Sequence, residues 1–135
     1  MRVKHFELTD ETKVNHYGIT LHRIRLTSDC RWGKKGTLGG WVEKAENIQD
    51  SAWISDNAEI SGNAKVSGNA KVCGEAKVFG NAKVFDSAQV YGNAKVFGNA
   101  QISGNAWVYG NAVVFDNAQV SSNAWVYDNA DERDE

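Results

Sequence analysis

Three histidines, His5, His16 and His22, and two cysteines, Cys30 and Cys73, are the residues here whose side chains could act as base, nucleophile or metal ligand near neutral pH. Their spacing gives them little to work with. All three histidines fall within the first 22 residues, and the cysteines sit far apart with no paired spacing. That argues against a disulfide framework and against a zinc site, and it suits a reducing cytosol. Gly33, Gly36, Gly39 and Gly40 do not fit a phosphate-cradling GxxxxGK[ST] loop, nor a GxGxxG after a strand. Cys73 is flanked by residues expected to be inert. An enzyme reading therefore rests on His22 or His16 alone, because general-base chemistry needs a positioned group of near-neutral pKa. The residues imply no cofactor and no metal.

A second kind of chemistry, adhesion, is better represented. Rings recur in the second half of the chain: Phe79, Tyr91, Phe97, Trp107, Tyr109, Phe115, Trp125 and Tyr127. Their spacing follows from the element that carries them. From Asp50 a six-residue unit, [GD]-[NS]-A-x-[VI]-[SFY], runs through thirteen complete copies without insertion and ends in the partial unit Asp128-Asn129-Ala130. Gly or Asp followed by Asn or Ser is turn chemistry, tolerant of positive φ. The next four residues, such as Ala64-Lys65-Val66-Ser67, alternate so that Ala and Val share one face. A strand this short cannot bury its own apolar face, so successive strands must wind into a solenoid in which each coil pairs with the next.

The fold predicted is all-β: a triangular parallel β-helix with three units per coil, 18 residues, over residues 50–130. Thirteen units make about four coils, roughly 20 Å tall at about 4.8 Å per coil. Residues 1–49 form a small β cap, with a strand over Tyr17–Leu26 and with Trp32 and Trp41 as plugs; residues 131–135 are an acidic tail. Every third unit then stacks. The first face places Trp53, Lys71, Gln89, Trp107 and Trp125 in one outward column and Ser55, Cys73, Tyr91, Tyr109 and Tyr127 in the other. The second face carries a phenylalanine column, Phe79, Phe97 and Phe115, beside Val113; the third is polar apart from Phe85. Asparagines such as Asn63, Asn81, Asn99 and Asn117 stack at a corner, where amide ladders are the structural expectation.

The sequence resembles the hexapeptide-repeat, left-handed parallel β-helix superfamily. More narrowly, GITLHRIRLTSDCRWGKKGTLGGWVEKAENI followed by NAxV[FY]G repeats is similar to uncharacterised hexapeptide-repeat proteins of enterobacteria and their phages, over nearly the whole chain. The resemblance implies left-handed winding. One departure stands out: the superfamily places Gly or Asp directly after the aliphatic residue, whereas here a residue intervenes, as in Val78-Phe79-Gly80. Acyltransferases of the superfamily use a histidine and a loop thrown out from the coils, and its carbonic anhydrases use three coil histidines. Neither pattern is present in residues 50–130.

The functional expectation is a non-catalytic protein-binding β-helix that self-associates as a dimer or trimer. The resemblance adds a phage or prophage setting and a bacterial host protein, such as a defence component, as a target to be blocked. An acyltransferase-like enzyme and a structural virion or assembly module are the alternatives. The binding surface is assigned to Trp107, Tyr109, Trp125 and Tyr127, extended by Tyr91 and by Phe79, Phe97 and Phe115. A second surface, for an anion or a protein, is Arg23, Arg25, Arg31, Lys34 and Lys35. Net charge is −2, which gives no strong field for nucleic acid. No apolar run approaches the length needed to span a bilayer. The start, MRVKHFELTDET, has no apolar core of a secretion signal, so a cytoplasmic location is expected.

Overall fold

The structure is a computed structural model that describes residues 5–127 and the short strand Asp131–Glu132. The coils close as the eighteen-residue arithmetic requires. On the first face, β4 (Trp53–Ile54), β7 (Lys71–Val72), β10 (Gln89–Val90), β13 (Trp107–Val108) and β16 (Trp125–Val126) form one five-stranded parallel sheet. Its register sets Trp53 beside Lys71, Lys71 beside Gln89, Gln89 beside Trp107 and Trp107 beside Trp125. The third face stacks β6 (Lys65–Val66), β9 (Lys83–Val84), β12 (Gln101–Ile102) and β15 (Gln119–Val120). The second face stacks β5 (Glu59–Ile60), β8 (Lys77–Val78), β11 (Lys95–Val96), β14 (Val113–Val114) and β17 (Asp131–Glu132). The first two residues of the acidic run thus continue this sheet. The partial unit 128–130 and residues 133–135 lie outside the described residues.

Alanine and valine or isoleucine fill the interior. From Ala52 to Val114 every one of these repeat positions is fully buried. Corners turn through positive φ at each unit, with Gly62 to Gly110 between 64° and 70° and with Asp50, Asp56, Asp86, Asp116 and Ser122 between 57° and 60°. Consecutive coils are tied there as well: the Asn63 N–H donates to the Gly80 carbonyl at 2.8 Å and the Asn99 N–H to the Asp116 carbonyl at 2.7 Å.

The parallel ladder begins before the first full repeat unit, so that about five coils stack where the unit count suggests about four. Trp41 pairs with Glu59 and Val42 with Ile60, and Ile48 bridges to Val66. This opening coil lacks the motif letters and is held another way. Gly39 and Gly40 lie so close to the coil below that a Cβ would meet the Ile54 carbonyl at 2.5 Å and the Ala58 carbonyl at 2.7 Å. Its corner is a 3-10 turn, Ala45–Asn47. The buried Asn47 side chain accepts from the Lys44 N–H at 2.9 Å and donates to the Ala64 carbonyl at 2.8 Å, standing in for main-chain bonds the turn cannot make.

Above it lies a hairpin, β1 (Phe6–Val14) and β2 (Thr20–Leu26), joined antiparallel to β3 (Leu38–Val42). The sequence reading covers β2 and has no strand over 6–14, because FELTDETKV is polar and its pairing is broken by a bulge between Leu8 and Thr12. Phe6, Ile24 and Leu26 enter the core cluster and close the top of the prism. Both tryptophans expected as plugs are covered. Trp41 is only 6% exposed, roofed on the outward side of β3 by the Lys13 ammonium at 4.6 Å and the Arg23 guanidinium at 5.4 Å. Trp32 is half-buried, its indole N–H donating to the Ser51 carbonyl at 2.6 Å. Trp53, read as outward on the first face, is only 2% exposed, because the His5 ring at 6.1 Å and β3 pack over it.

Candidate binding surface

The outward columns become ring ladders. Parallel strands set like residues one strand spacing apart, and stacked planes are the result. On the first face Tyr91 and Tyr109 stack at 5.0 Å and 4°, Tyr109 and Tyr127 at 5.5 Å and 13°, and Trp107 and Trp125 at 5.4 Å and 4°. Tyr91 also meets Trp107 edge-on at 6.4 Å. On the second face Phe79 and Phe97 stack at 5.0 Å, and Phe97 and Phe115 at 5.6 Å. Tyr17, from the turn between β1 and β2, packs on Phe79 at 5.9 Å and covers the upper end of that column.

Each inner rung is half-buried by its neighbours. The last rung is different: Trp125 is 58% and Tyr127 47% exposed. The ladders thus account for the inner rings structurally and leave a Trp–Tyr pair open on one face of the final coil. Burial pushes the Tyr91 hydroxyl up from its ordinary pKa, with Tyr109 and Cys73 adding to the effect.

The other candidates are scattered. The His5 Nε2 lies 2.7 Å from the Ala52 carbonyl, His16 sits in the hairpin turn with its ring 5.3 Å from Tyr17, and His22 pairs with Val42 across β2 and β3. Among the described residues no cluster of three His, Cys, Asp or Glu side chains is placed to hold a metal. Burial raises the Cys73 thiol above its ordinary pKa; Lys71 opposes this, Asp56 adds to it, and a hydrogen bond with Ser55 opposes it.

Several of the basic residues of the second surface have partners of their own. Arg25 pairs with Glu7. Arg23 donates to the Gly39 carbonyl at 3.1 Å and lies 3.6 Å from Glu11. Arg31 stacks over Trp32 at 4.7 Å. Lys34 and Lys35 are exposed on the loop between β2 and β3.

The asparagine corner begins a ladder, with the Asn63 amide donating to Asn81 at 3.3 Å. Sequence reasoning missed the aspartates at the other two corners. Asp50, Asp56 and Asp86 accept the N–H of Gly68, Gly74 and Gly104 at 3.1, 3.1 and 3.0 Å. The signal was available: each is an Asp in the turn position eighteen residues ahead of a Gly.

A family model described as YdcK Beta solenoid repeat matches residues 88–100, 100–116 and 107–122, part of the coils that carry the ring ladders. The chain is a β-solenoid repeat protein. Comparison with curated proteins gives no match. Within the solenoid, the matched segments contain Tyr91, Phe97, Trp107, Tyr109 and Phe115; Trp125 and Tyr127 fall just beyond them.

Proposed function

We propose that the solenoid is a non-catalytic protein-binding module that associates with further copies of itself through the block of Trp107, Tyr109, Trp125 and Tyr127. The observation that supports this reading is the open last rung: Trp125 and Tyr127 are exposed while the rings above them are half-buried. Trp and Tyr dominate protein interfaces because they bury large area at small entropic cost. A rigid coil stack presents them without an ordering penalty on binding.

Light scattering tests the reading. The wild type is expected above the 14.8 kDa of one chain, and Trp107→Ser/Trp125→Ser at that mass. A wild type of monomer mass, or equal masses for the two proteins, overturns it.

A second class of partner, a bacterial protein held on the same rings, draws its support from the resemblance to hexapeptide-repeat proteins of enterobacteria and phages. A protein retained from bacterial lysate by the wild type and lost with the double variant supports it. Retention by both removes the rings from the role.

A further inference from the structure

We infer that copies of the chain stack head to tail, the final coil of one packing on the N-terminal cap of the next. The inference rests on the self-association proposed above and adds its geometry.

Exposed apolar side chains are found at two places. Among the described residues the large apolar side chains with open surface are Val14, Tyr17 and Leu38 on the cap and Trp125 and Tyr127 on the final coil. The coils between them have none. Main-chain bonding follows the same division. Trp107 and Tyr109 donate their N–H groups to the Ala124 and Val126 carbonyls of the coil below, at 3.0 and 2.9 Å. Among the described residues β16 (Trp125–Val126) is the terminal strand of its sheet, and no acceptor is found there for the N–H groups of Trp125 and Tyr127. At the other end β1 is the outer strand of its sheet.

Charge decides which ends meet. Residues 1–95 hold fourteen Lys or Arg and eleven Asp or Glu, a net +3. Residues 96–135 hold one basic residue and six acidic ones, a net −5. In sequence order the basic excess lies toward the cap and the acidic excess toward the last units. Joining two final coils brings like charges together, and joining a final coil to a cap brings opposite charges together. A contact between unlike surfaces does not use itself up on pairing, so association along the axis continues into longer stacks.

Complementation of two variants tests this geometry. A tail variant, Trp125→Ser/Tyr127→Ser, and a head variant, Val14→Ser/Leu38→Ser, change only exposed positions, and circular dichroism checks that each is folded. Wild-type mass is expected to climb with protein concentration. It is also expected to fall between about 0.01 M and about 1 M salt, which shortens the screening length from about 30 Å to about 3 Å. Each variant alone is expected at 14.8 kDa. An equimolar mixture is expected at twice that mass and no higher, because only one intact head meets one intact tail. If the head variant assembles like wild type while the tail variant does not, association runs through the aromatic face alone. The stacking geometry then fails while the self-association reading stands. If wild type itself stays at monomer mass at low salt, both fail.

Discussion

The two ends of the prism are built on the same coil and finished differently. At the top, Phe6, Ile24 and Leu26 from the hairpin lie on the last Ala/Val layer, which is fully buried. At the bottom, Ala118, Val120 and Val126 are 5–6% exposed and the rings of the final rung stand open. A repeat specifies how one coil sits on another. It contains no instruction for stopping, so each end depends on residues outside the pattern. The cap supplies them at one end, in a segment with none of the motif letters.

The largest expected effect breaks the closed end. Ile24→Ala should cost about 2–5 kcal/mol by urea unfolding, since it empties a fully buried site. Val126→Ala should cost less than about 2 kcal/mol, at roughly 0.8 kcal/mol per buried carbon group lost and with an edge that water can refill. Equal costs would mean that the two ends are equally covered.

Corner substitutions come next. Gly80 has φ +70°, and a Cβ there would meet the Gly98 nitrogen at 3.0 Å. Gly80→Ala should destabilise by about 1–2 kcal/mol. Gly80→Asp should recover about 0.5–1.5 kcal/mol of that by accepting the Gly98 N–H, as Asp56 accepts Gly74. A less stable Asp than Ala variant would show that the aspartate bonds contribute nothing. Asp56→Ala, which removes one such bond, should cost about 0.5–1.5 kcal/mol in the same assay.

The smallest effect is a pH dependence. The Cys73 thiol is raised above its ordinary pKa of 9.0 in the folded chain, mainly by burial. Its contribution to stability is complete below the unfolded value and is lost as pH rises through the folded one. Cys73→Ala should therefore flatten the alkaline limb of the stability curve. A limb of unchanged slope would remove the thiol from it.

The coils were legible because Ala and Val recur at a fixed step, so that residues eighteen apart had to meet; the Trp107–Trp125 and Phe79–Phe97 stacks follow from that arithmetic alone. The cap was legible only in part: its strand β2 was read and its strand β1 was not. β1 is polar and bulged, and the contacts that fix it, such as His5 with Ala52, span 47 residues. Trp53 was misread for the same reason: its place in the repeat is outward, and only the cap makes it a buried residue. The opening coil was hidden because Asn47 does with a side chain what the other corners do with main chain. The ladders were foreseen as columns, but which rung stays open depends on what covers the ends, and no local pattern encodes that.

The uninterrupted six-residue frame makes the coil stack a dial. Excising residues 86–91 would leave an alanine and a valine at every inward position, yet turn everything below by one third of a lap. Trp107 and Tyr109 would then fall in register with Lys83 and Phe85 on the adjoining side. Whole-unit gain or loss can thus carry a block of rings from one side of such a chain to another while its interior stays filled.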